Sequence, residues 1–251
     1  MFEEKFDYQD YRNRYAQHIM FYEAGVSNRE KVFNARVAVI GLGGIALETT
    51  RLLTVAGVRL LRFVHWETET AGISGADAHA ESESSELLPR GMDALQELVE
   101  ANPSGAEVVN AADVADFQDV LRDADLILYE DGDGDSQRCC LVEETARRLK
   151  KPWIYAEAHG GSGMTVLLIP GRSACLSCVK EKIKPDDGQM KYAATVTDLI
   201  ARTLSQVQAM EALKLLGESP NLSTEAYCFD VESFGRTLTV ARNDACPRCN
   251  A

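Results

Sequence analysis

A mainly parallel α/β sheet with helices on both faces is the architecture this 251-residue sequence predicts. Three observations carry the prediction. The run Val37-Ala38-Val39-Ile40 is continuously apolar, as a strand buried on both faces of a parallel sheet must be. It ends in a glycine turn, Gly41, Gly43 and Gly44, followed by an apolar pattern of helical length from Ile45 to Ala56 and a second apolar run, Leu60 to Val64. Strand and helix patterns then keep alternating as far as Ala156, which parallel pairing requires.

The elements follow in order. Residues 1–33 read as a helical, aromatic-rich arm ending at Val26-Ser27-Asn28; it has no core of its own, so it packs on the domain or on a second subunit. Thr68 to Glu86 is small and polar, a long loop. Met92, Leu95, Leu98 and Val99 repeat at helical spacing, and Asn102-Pro103 ends that helix. Val108-Val109 predicts a strand, Phe117 to Leu121 a short helix, and Leu126-Ile127-Leu128 a buried strand running into the acidic turn Glu130 to Asp135. A helix over Ser136 to Leu149 and a strand over Trp153 to Ala156 come next. Met164 to Ile169 reads as a strand of an antiparallel extension. Val196, Ile200, Leu204, Val207, Met210 and Leu213 form the apolar stripe of a long helix, facing core or a dimer interface. Tyr227 to Val240 predicts a hairpin.

The glycine turn is where chemistry is first expected. Glycines let backbone N–H groups approach phosphate oxygens, and the following helix adds its positive N-terminal end. Glu67, closing the second strand in His65-Trp66-Glu67, stands where an acidic residue bonds a ribose hydroxyl. A net charge of −13 argues against nucleic acid as a partner. Without an apolar stretch of membrane length or a signal-peptide core, a cytoplasmic location is expected.

Seven cysteines in such a chain are not read as a disulfide framework. Cys175-Leu176-Ser177-Cys178 and Cys246-Pro247-Arg248-Cys249 are two C-x-x-C pairs, and together they complete the four-sulfur shell that zinc prefers. Two unrelated reduced pairs, or a redox dithiol, are the alternatives. Four protein ligands leave no open position, so a zinc here would be structural. Cys139, Cys140 and Cys228 fall in apolar patterns and are expected to be ordinary buried thiols.

Arg14-Tyr15-Ala16-Gln17-His18-Ile19, Ala35-Arg36-Val37, Gly41-Leu42-Gly43-Gly44-Ile45 and Ala56-Gly57-Val58, in this order and spacing, resemble the ThiF/MoeB/HesA type of ubiquitin-activating-enzyme-like adenylyltransferases. The resemblance covers nearly the whole chain. It implies a Rossmann-like single domain over 1–251, with an arm at 1–33, a nucleotide-binding half at 34–158, and a sheet extension, long helix and zinc-tied C-terminus at 159–251. It also implies ATP, magnesium and a homodimer in which Arg14 reaches the neighbouring nucleotide. The family's zinc falls on the same two C-x-x-C pairs.

Carried over position by position, the match is uneven. Ala46 replaces the last glycine of the turn, and His65 replaces an aspartate. The arginine that clamps phosphate in the family's NLxRQ stretch has no counterpart, since Thr68 to Glu86 contains no Lys or Arg. Arg90 stands nearest the expected lysine, and Asp133 matches the magnesium aspartate. No cysteine lies in Val179 to Thr195, which excludes a thioester there. The resemblance therefore implies a diverged adenylyltransferase activating the C-terminus of a ubiquitin-like sulfur carrier or a small-molecule acid. The alternative is a catalytically silent zinc-binding scaffold that binds a carrier protein or an active paralogue. A nicotinamide dehydrogenase fits the glycine turn but leaves the cysteine pairs and the arm unexplained.

Overall fold

The structure, a computed structural model, describes residues 25–66, 106–111, 114–132, 136–183 and 194–250. Helix α1 (Gly25–Asn34) leads into β1 (Arg36–Ile40), α2 (Gly44–Val55) and β2 (Leu60–Trp66). Then come β3 (Ala106–Ala111), α3 (Val114–Arg122), β4 (Leu126–Glu130), α4 (Ser136–Arg148) and β5 (Trp153–His159). The rest is β6 (Ser162–Leu168), α5 (Leu176–Lys182), α6 (Ala194–Leu216), β7 (Ala226–Asp230), β8 (Phe234–Leu238) and α7 (Pro247–Asn250).

These strands form one sheet in the order β3-β2-β1-β4-β5-β6-β7-β8. Pairing is parallel from β3 to β5 and antiparallel from β5 to β8, so the core is Rossmann-like with an antiparallel extension. Strand alternation sorts the core into two layers. Val37, Val39, Phe63, Leu128 and Ile154 pack with Leu53 of α2 and Ala209, Ala212 and Leu216 of α6. Ala38, Ile40, Ile127, Tyr129 and Tyr155 pack with Phe117 of α3, Val142 of α4 and Val179 of α5 on the other face.

Strand order reverses between β1 and β4. The strands leave a crevice at their carboxyl ends there, where ligands bind in open α/β sheets. The glycine turn follows β1 and the acidic turn follows β4, so both open on that crevice.

Several expectations need correction. Helix α1 runs straight through Val26-Ser27-Asn28 rather than ending there. The stripe of α6, expected to face core or a dimer interface, is not all core: Met210 is 54% exposed on the single chain, while Ser205 and Gln208, absent from the apolar pattern, are buried. Thr49 of α2 explains the difference, because its hydroxyl bonds Gln208 Oε1 at 2.7 Å and lets α6 turn a polar side toward α2. Each C-x-x-C pair opens or lies in a short helix that no periodic pattern announces, α5 or α7.

Candidate functional site

Gly43 is the N-cap of α2 and has no side chain with which to cap it. The first helical bond is Leu47 N–H to Gly43 O at 3.1 Å, which leaves the preceding N–H groups without a partner inside the helix. Glu130, at the end of β4, fills the gap from across the crevice. Its carboxylate accepts the Ile45 N–H at 3.1 Å and the Ala46 N–H at 2.9 Å. The fit is close: a Cβ built on Gly43 would lie 2.5 Å from Glu130 Cδ and 2.6 Å from Oε2. Gly41, at φ +107°, takes a conformation that favours glycine, and a Cβ there would come 3.0 Å from Glu130 O. Burial pushes the Glu130 carboxyl above its ordinary range, and the N–H groups of Ala46, Ile45 and Gly43 offset only part of that.

The next residue points to the opposite face. Asp131 is 2% exposed and accepts the Tyr155 hydroxyl at 2.8 Å; that hydroxyl is also 2.5 Å from Glu157 Oε2. Lys180 of α5 completes the group, 3.4 Å from Asp131 and from Glu157 and 4.6 Å above the Tyr155 ring. Burial, then the charge of Glu157, pushes the Tyr155 phenol far up. Burial pulls the Lys180 ammonium down, but Glu157 and Asp131 outweigh it, so its pKa is raised.

The four expected cysteines come together. Cys175 Sγ lies 3.8 Å from Cys246 Sγ and Cys178 Sγ 3.8 Å from Cys249 Sγ, all four within 4.8 Å of one another. Sulfurs bound tetrahedrally at about 2.3 Å from one ion would stand about 3.8 Å apart, so this cluster fits a metal. The spacing is too long for disulfides, and all four cysteines are free. Glu143 of α4 accepts the Leu176 N–H at 2.7 Å, and Arg248 lies 3.4 Å from the same carboxylate, which fixes both short helices beside the cluster. Burial pushes the Cys175 thiol up to about 11, whereas the backbone N–H groups of Cys249 and Arg248 draw Cys246 down to about 7. Cys139 and Cys228 are buried as expected; Cys140 is only half-buried, with Arg248 Nη2 3.6 Å from its sulfur.

The model of the ThiF family matches residues 82–250, which takes in β3 through α7. The chain belongs to the ThiF family. Among its relatives is the sulfur carrier protein ThiS adenylyltransferase of Bacillus subtilis strain 168, 25% identical over 94% of this chain and 71% of that protein. Another is the sulfur carrier protein adenylyltransferase of Thermus thermophilus, 26% identical over 94% of this chain and 90% of that one. Alignments of that length necessarily include the glycine turn. The E. coli MccB structure with ATP shares the fold, with a TM-score of 0.67 at 19% identity, covering 95% of this chain and 75% of that chain.

Of the residues this ThiF-family sequence singles out, the structure places Gly41, Gly43 and Gly44 at the crevice and unites the four cysteines. Arg14, Glu67, Arg90 and Asp133 lie outside the described residues, as do the side chains of His65 and Trp66. Glu130 and the Asp131–Tyr155–Glu157–Lys180 group were missed. Only the strand order, which puts β4 beside β1, brings Glu130 to the N-cap glycine. Nothing in the sequence marks Lys180.

Proposed function

We propose that this ThiF-family chain activates a carboxylate with ATP. A substrate carboxylate oxygen attacks the α-phosphorus, the bond to the bridging oxygen breaks, and pyrophosphate leaves with that electron pair. The observation that carries the reading is the glycine turn at the crevice, whose N–H groups already hold two acceptor oxygens, those of the Glu130 carboxyl group. A loop so shaped suits a phosphate.

In this reading the phosphates lie over Gly41, Gly43 and Gly44, Glu67 takes the ribose, and Asp133 holds magnesium. Of the other carboxylates in that turn, Glu130 is bound to α2 and Asp131 to Tyr155, which leaves Asp133, the match to the family's magnesium aspartate, and its neighbour Asp135. Magnesium would neutralise charge on the phosphates. Arg14, reaching across a homodimer, and Arg90 supply the remaining positive charge. The names of the Bacillus and Thermus relatives favour a ubiquitin-like sulfur carrier as the substrate. The charge of −13 favours a small-molecule acid, because it repels an acidic carrier at long range. The four-cysteine cluster holds a structural zinc, and the protein works in the cytoplasm. Among the described residues no helix is long and apolar enough to cross a membrane.

A silent scaffold that binds a carrier or an active paralogue is the second reading. It is favoured by the identity of the bound carboxyl group, which belongs to the chain itself. Carboxylate-dependent exchange of labelled pyrophosphate into ATP separates the two. The enzyme reading expects exchange that Asp133→Ala abolishes without loss of helicity. No exchange with any carrier or acid, and no effect of Asp133→Ala, would decide for the scaffold. Light scattering on the same preparation should give about twice 27.6 kDa; a monomeric mass would remove Arg14 from the site.

A further inference from the structure

We infer that Glu130 determines what the crevice accepts: its carboxylate is an internal ligand of the glycine turn, and a nucleotide phosphate binds there only when that side chain leaves. The inference rests on the proposed reading of the crevice as a nucleotide site. It adds a residue that competes with the nucleotide for the same backbone donors.

Two geometric facts support competition over simple neighbourhood. The Ile45 and Ala46 N–H groups, the donors a phosphate would use at the head of α2, are already bonded to the two Glu130 oxygens, at 3.1 and 2.9 Å. The space above Gly43 is also taken, since even a Cβ there would come within 2.6 Å of the carboxylate. Phosphate and carboxylate therefore cannot share the turn.

The simpler account makes Glu130 a long-range N-cap of α2 and nothing more. A Ser, Thr or Asp at position 43 would supply such a cap locally. The chain has glycine there instead, and that glycine leaves the room the carboxylate uses. Both accounts lose stability when Glu130 is removed. Only competition gains ligand affinity.

The test is calorimetric titration of the full chain with ATP and magnesium, with AMP, and with adenosine. The proteins compared are the wild type, Glu130→Ala and Glu130→Gln. Glutamine keeps the size of the side chain but offers one acceptor oxygen where the turn presents two donors, so it carries the test should the alanine variant fold poorly. ATP and AMP are expected to bind Glu130→Ala at least about tenfold more tightly than wild type. Glu130→Gln should fall between them, and adenosine should bind all three within about twofold. Hydrogen exchange should show Ile45 and Ala46 amides less protected in Glu130→Ala, with protection restored by ATP. Equal ATP affinity in all three proteins, whether tight or undetectable, overturns the inference. So does adenosine tightening as much as ATP, which would mean the variant opens the crevice generally.

Failure here is separable from failure of the proposed function. Tighter ATP binding in Glu130→Ala without any pyrophosphate exchange upholds the internal ligand and removes carboxylate activation. Exchange in the wild type with uniform ATP affinity does the reverse.

Discussion

Chelating the proposed zinc from the Cys175–Cys178–Cys246–Cys249 cluster is expected to lower the melting temperature by about 10 °C. The size follows from what the cluster joins. Cys175 and Cys246 are 71 positions apart, and cross-linking a loop of that length removes unfolded-chain entropy equivalent to about 4 kcal/mol. For a domain of this size each kcal/mol shifts the midpoint by about 2–4 °C. The helices on either side cannot stand alone, since α5 has 7 residues and α7 has 4, fewer than an isolated helix needs. Loss should therefore begin at the C-terminal tail and α5, while the layer formed by α2 and α6 on the sheet persists. Cys249→Ser should reproduce most of the effect. The thiol pulled up to about 11 at Cys175 must lose its proton to bind metal, so affinity should fall as pH falls. Metal analysis should find about one zinc per chain; a metal-free protein of unchanged melting temperature would end the proposal.

Lys180→Met should destabilise the fold by about 2 kcal/mol at neutral pH. Removing one partner of a buried ion pair costs about 3–5 kcal/mol. Asp131 is 2% exposed, but the Lys180 side chain is 39% exposed, and water already screens part of the attraction. The substitution removes the ammonium that faces Asp131 and Glu157 beside the Tyr155 hydroxyl they both bond. The direction with pH follows from linkage. Lys180 has a raised pKa in the folded protein, so its contribution is complete below the unfolded value of about 10.4 and is lost as pH rises through the folded one. The gap between wild type and Lys180→Met should thus close in strongly alkaline urea titrations. Equal midpoints at neutral pH would show that the ammonium contributes nothing.

What the sequence made legible was local. The apolar run before Gly41 and the helical pattern after it announce β1 and α2 because neighbouring residues carry the whole signal. The cysteine pairs do so because each C-x-x-C is a fixed local geometry. Glu130 was illegible for the opposite reason: its contact with Ile45 spans 85 positions, and a lone acid at a strand end reads as part of a solvated turn. Asp131 looks like its neighbours in that turn, yet the strand period sends it to the Tyr155 side while Glu130 goes to α2. Met210 entered the α6 stripe because periodicity counts apolar residues without seeing Thr49 on the facing helix. Helices α5 and α7 are too short for any period to register.

The reach of that cap has a consequence in time. Strands β1 and β2 with α2 between them are contiguous in the chain, whereas β4 must close a segment of about 85 residues before it can dock on β1. Closing such a segment costs roughly 4 kcal/mol of chain entropy, so the head of α2 is expected to be built before its carboxylate arrives. During folding, the Ile45 and Ala46 donors face solvent and whatever anions it contains. They become inaccessible in the step that joins β4 to β1, which pulsed hydrogen exchange would register as protection of those amides together with the β1–β4 ladder. A nascent chain thus offers its glycine turn to passing anions more freely than the finished protein does.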